Sequence, residues 1–141
     1  MAEQIETSEI LNVLLIDDEP TQLSLIPLIL NHFDSSLKVE ILSDPSKALE
    51  KILNFPYDVV VANYSMPEEN GLNLIKAIKS IRDIPCMLYT EMGNNEPREE
   101  TITSGIDDHI KKLDNPRDYG ILTERIRAAV KRHHETKLML S

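Results

Sequence analysis

Five short apolar runs, separated by stretches of a different period, set the tightest limit on what this chain can fold into. Asn12–Ile16 (NVLLI) is nearly continuous apolar sequence closed by Asp17-Asp18, the pattern of a strand buried on both faces. Leu37–Leu42 (LKVEIL) alternates apolar and polar residues, as an edge strand with one wet face does. Asp58–Ala62 (DVVVA) is the most β-prone run and predicts the central strand. Ile84–Tyr89 (IPCMLY) is the fourth run, and His109–Leu113 (HIKKL) a short fifth.

Between these runs the period changes to that of a helix. Glu19–Phe33 carries Leu23, Ile26, Leu30 and Phe33 at helical spacing, with Pro27 inside it, which predicts a kink. Asp44-Pro45 reads as the N-cap and first position of a helix to about Asn54, with Ala48, Leu49 and Ile52 facing the core. The loop Met66–Gly71 (MPEENG), with Asn70-Gly71 read as a tight turn, leads into a helix over Leu72–Ile81. Pro97 and Gly105 bracket another helix, a poorly amphipathic one in which Ile102 is almost the only large apolar residue. A last helix over about Asp118–His133 turns Ile121, Leu122, Ile126, Ala129 and Val130 inward.

A strand-helix unit repeated five times needs right-handed crossovers and builds a parallel sheet covered on both faces. Ligands on such a sheet bind beyond the carboxyl ends of its strands. Four places lie there: Asp17-Asp18, Asn63–Ser65, Thr90-Glu91 and Lys112. Two adjacent carboxylates can converge on a hard cation such as Mg²⁺, or serve the next helix as an N-cap. The Thr90 hydroxyl is placed to donate to a phosphoryl oxygen. Lys112 is placed to hold an anion or to pair with Asp17 or Asp18.

Composition removes other classes. The 141 residues suit one domain. A formal charge of −9 excludes a nucleic-acid partner, which requires a basic surface. That charge is unevenly spread: residues 117–141 carry +3 and the remainder −12. Most of the basic residues in the last helix (Arg117, Arg125, Arg127, Lys131, Arg132, Lys137) read as a solvated face, and His133-His134 as a solvated helix end. The single Cys86 sits in an apolar run and excludes a disulfide framework or a Cys-based zinc site. The first ten residues hold three Glu and no basic residue, unlike a secretory leader, and no apolar run approaches membrane-spanning length. A cytoplasmic protein with no membrane partner is the expectation.

VLLIDDEP (13–20), YDVVVANYSMPEENGLNLIKAI (57–78), IPCMLYT (84–90) and GIDDHIKKL (105–113) together resemble the receiver domain of two-component response regulators, over roughly residues 10–133. The wording GIDDHIKK looks most like archaeal receivers. The resemblance implies a flavodoxin-like (βα)5 fold, a doubly wound five-stranded parallel sheet in the order 2-1-3-4-5. It implies a receiver over 11–133, an N-terminal tail over 1–10, and a C-terminal tail or helix extension over 134–141. It also implies a Mg²⁺ site from Asp17, Asp18, the residue at 63 and the carbonyl of Ser65. Thr90 matches the family's switch hydroxyl, Lys112 its phosphate-binding lysine and His109 its switch aromatic.

The acceptor position departs from that pattern. Asn63 stands where the family carries the phosphoacceptor Asp, and a carboxamide cannot form an acyl phosphate. Its amide oxygen still coordinates metal, so weakened rather than abolished Mg²⁺ binding is expected. Asn63 marks either a degenerate natural receiver or an engineered Asp→Asn change. Glu91 adds bulk and charge beside the site, and Leu113 replaces the proline that commonly follows the lysine. His109 brings an imidazole able to respond to pH near neutrality.

The functional expectation is a stand-alone receiver in phosphorelay signalling, not an enzyme. It would act by docking to a histidine kinase or another response regulator, and it is not phosphorylatable as written. Two alternatives stand beside it: a phosphorylation-independent adaptor, and a Mg²⁺-dependent phosphohydrolase using Asp17. Receivers often form homodimers through their fourth and fifth helices, and the helix bracketed by Pro97 and Gly105 offers little apolar surface for one.

Overall fold

The computed structural model describes residues 9–19, 25–66, 70–90, 105–111 and 115–140. Five parallel strands form one sheet in the order β2-β1-β3-β4-β5, the order that the resemblance implies. They are β1 (Leu11–Ile16), β2 (Leu37–Leu42), β3 (Val59–Asn63), β4 (Cys86–Thr90) and β5 (Asp108–Lys111). The described helices are α1 (Ile26–Phe33), α2 (Ala48–Asn54), α3 (Gly71–Ile81) and α4 (Tyr119–Leu140), with single 3₁₀ turns before α2 and α4.

The continuous apolar runs follow from burial on two faces. Successive side chains of β1 alternate between cores: Val13 and Leu15 join Leu30, Leu122 and Ile126 on the side of α1 and α4. Leu14 and Ile16 join Ile52, Leu72 and Ile75 on the side of α2 and α3. All five residues of β3 are buried, as befits the middle strand, whereas Lys38 of the edge strand β2 is exposed.

Several local expectations are corrected. Pro27 lies in the first turn of α1 as described; residues 20–24, on which the expected kink depends, lie outside the described residues. Leu49 and Ile121 were expected in the core but are 37% and 47% exposed, because each falls at the margin of its helix's apolar stripe. Strands β4 and β5 are displaced from the apolar runs that mark them, while α4 runs on to Leu140, the helix extension of the two alternatives expected after His133. Asp44 caps as expected, accepting from the Ser46 N–H at 3.1 Å. The helix bracketed by Pro97 and Gly105 lies mostly outside the described residues; Gly105 itself adopts φ +74°, a conformation that glycine tolerates without strain.

Candidate functional site at the carboxyl edge of the sheet

Register brings three strand ends together. Ile16 pairs with Ala62, so the next residues along, Asp17 and Asn63, lie side by side. Asn63 pairs with Tyr89, which puts Thr90 one residue beyond it on β4. All three polar residues are buried, Asp17 at 1% and Asn63 at 4% exposure.

Their partners define the site. Asp17 Oδ1 accepts the Glu19 N–H at 3.0 Å and the Asn63 side-chain N–H at 3.2 Å. Asn63 Nδ2 also donates to the Ser65 carbonyl at 2.9 Å. Asp18 Oδ1 is buried and has no hydrogen-bond partner among the described residues. A buried acceptor without a donor is costly, and a cation would satisfy it.

The set of oxygens fits Mg²⁺, which takes hard oxygen ligands and keeps several waters. Asp17 and Asp18 supply carboxylates, Ser65 a carbonyl, and Asn63 an amide oxygen once its carboxamide turns over. No group of three or more His, Cys, Asp or Glu placed to hold a metal ion is found among the described residues, and the carboxylates described at this edge are those of Asp17 and Asp18.

The loop after β3 is held by residues whose part is easily missed in the sequence. Asn70 is the N-cap of α3, accepting the Asn73 N–H at 2.8 Å, rather than merely part of a tight turn. The Gly71 N–H donates to the Tyr64 carbonyl at 2.8 Å. A Cβ on Gly71 would sit 2.2 Å from the Asn63 carbonyl oxygen, so only glycine lets α3 start against the end of β3. An Asn ahead of a helical period is an N-cap signal; the close approach of Gly71 has no local signature.

On the far strand, His109 of β5 is half-buried. Arg125 donates to its carbonyl at 3.1 Å and to both oxygens of Asp108 at 2.6 Å. Burial alone would raise the Asp108 carboxyl, but hydrogen bonds from Arg125 and the His109 N–H outweigh it and hold it below its ordinary range. Lys112, Glu91 and Leu113 lie outside the described residues.

Of the six basic residues expected mostly on a solvated face, Arg117, Lys131, Arg132 and Lys137 are exposed as expected, whereas Arg125 and Arg127 are half-buried. Arg125 clasps Asp108, Arg127 pairs with Asp34, and Lys137 lies 3.6 Å from Asp83. At the end of that helix His134 is exposed as expected, whereas His133 is half-buried, 3.2 Å from Asp83 and 3.8 Å from Asp107.

A model of the response regulator receiver domain matches residues 13–126. The chain belongs to the response regulator receiver family. This receiver is 29% identical over 128 residues to response regulator ArlR of Staphylococcus epidermidis, covering 91% of this chain and 56% of that protein. It is 30% identical over 122 residues to transcriptional regulatory protein CpxR of Escherichia coli, covering 86% and 50%. The receiver thus spans about half the length of these curated relatives. They are bacterial, and the archaeal character read from GIDDHIKK finds no support in them. Among solved structures, a CheY-like receiver domain protein from Methanospirillum hungatei shares the fold with a TM-score of 0.76 at 23% identity, covering 91% of this chain and 99% of that one. A receiver domain protein from Clostridium thermocellum gives 0.75 at 25%, covering 92% and 99%.

Proposed function

We propose that this receiver serves phosphorelay signalling by docking to a protein partner, a histidine kinase or another response regulator, and that Asn63 keeps it from accepting phosphate. The observation that carries this is the placement of Asn63, buried at the end of β3 beside Asp17. Phosphotransfer needs an anionic oxygen at that point to attack the phosphorus in line, and a carboxamide has none.

Mg²⁺, held by Asp17, Asp18, the Ser65 carbonyl and the Asn63 amide oxygen, would neutralise charge at the site. With one anionic ligand fewer, its affinity is below that of an Asn63→Asp variant. Thr90, buried at the end of β4, is the switch hydroxyl on this reading. Lys112 and His109 are the phosphate-binding and switching residues. The receiver carries no enzymatic activity of its own and works in the cytoplasm. No helix among the described residues is long and apolar enough to cross a membrane.

Radiolabelled phosphotransfer from a cognate histidine kinase tests the reading. The unaltered chain is expected to stay unlabelled and the Asn63→Asp variant to take label. Label on the unaltered chain would overturn the proposal.

A further inference from the structure

The Asn63 carboxamide does more than lack a negative charge. Its Nδ2 stands 3.2 Å from Asp17 Oδ1 and 2.9 Å from the Ser65 carbonyl, so one NH₂ group ties the end of β1 to the loop leaving β3. A primary amide has two N–H donors, and each has an acceptor here. Turned over, the amide would aim its own oxygen at two oxygens, so the neighbours dictate its orientation. The two groups it bridges belong to the set that fits a cation.

We propose that the Asn63 amide takes the bridging place of the divalent ion, so that this edge of the sheet is held together without metal and a cation enters only by displacing the amide. The inference rests on Asn63 being the acceptor position. A carboxylate at 63 would face Asp17 as a second negative charge out of water, an arrangement that needs a cation or a proton between the two. The amide turns that repulsion into attraction, and burial of both residues strengthens it. Asp18 Oδ1 still lacks a donor among the described residues, so the outcome is competition for the site rather than loss of every ligand.

Thermal unfolding of the chain, Asn63→Asp and Asn63→Ala, each with chelator and with saturating Mg²⁺, tests this together with side-chain amide NMR of the unaltered chain. With chelator, the unaltered chain is expected to melt about 3–6 °C above both variants. Mg²⁺ should raise Asn63→Asp by several degrees and the unaltered chain by about 1 °C or less. The Asn63 side-chain N–H pair should keep its shifts and slow solvent exchange at the Mg²⁺ level that saturates Asn63→Asp. Failure of Asn63→Asp to fold without metal falls in the expected direction, and the amide signals then decide.

The proposal is overturned if the chain with chelator is no more stable than Asn63→Ala, or if Mg²⁺ stabilises it as much as Asn63→Asp. Displacement of the amide signals at that Mg²⁺ level overturns it too. An unlabelled chain with a failed melting comparison removes this inference and leaves the receiver reading standing; a labelled chain with a successful comparison does the reverse.

Discussion

Two groups of carboxylates are withdrawn from water in this molecule, and they are satisfied in different ways. Along α4, Asp34 and Asp108 each meet an arginine fork. At the carboxyl edge of the sheet, Asp17 accepts from a peptide N–H and a carboxamide, while Asp18 Oδ1 has no partner among the described residues. The first group fastens a helix to the sheet. The second keeps acceptor capacity in reserve at the strand ends, where ligands of such sheets bind.

The sharpest way to break the edge, without touching a carboxylate, is Gly71→Ala. The new Cβ would fall 2.2 Å from the Asn63 carbonyl oxygen and 2.9 Å from its carbonyl carbon, and both are backbone atoms. A loss of about 3 kcal/mol is expected in urea unfolding. A loss below about 1 kcal/mol would mean that α3 and β3 shift apart easily.

Arg127→Ala tests the fastened group and should cost about 2 kcal/mol, because both partners of its pair are largely buried. Burial pushes the Asp34 carboxyl up, but hydrogen bonds from Arg127 and the Ser36 N–H more than offset this and hold it below 3.8. A depressed folded value means that the pair's contribution is complete above about pH 4 and fades as pH falls through the folded value. Unfolding of parent and variant across the acid range should therefore converge at the lowest pH. A gap that persists there would assign the loss to packing of the Arg127 stem instead.

Arg125→Ala should have the smallest effect, about 0.5–1 kcal/mol and less in added salt. Its side chain is 42% exposed, so solvent screens the pair despite its bidentate geometry. Urea unfolding at low and high salt measures both the loss and its screening.

The sheet was legible because burial on two faces writes continuous apolar runs into β1, β3 and β4, and the one-sided edge strand writes alternation into Leu37–Leu42. The site followed from the rule that ligands gather at strand ends, which singles out Asp17, Asn63 and Thr90 from the sequence alone. Pairings made across the fold were not legible. Nothing near Gly71 in the sequence announces the Asn63 carbonyl against it, and nothing near Arg127 announces Asp34, 93 residues away. Helix margins were also hidden, since a 3.6-residue period does not say on which side of the stripe Leu49 or Ile121 falls.

The uneven spread of charge has a consequence for how the molecule meets salt. A segment of +3 lies along a body of −12, and three of its cations sit on aspartates of that body. The last helix is in effect a tethered counter-ion, thinning the self-repulsion of an acidic domain where it lies. Added electrolyte weakens that attraction and the body's self-repulsion together. The two responses oppose one another, so the way its charges are divided makes the domain's response to ionic strength smaller than either alone would give.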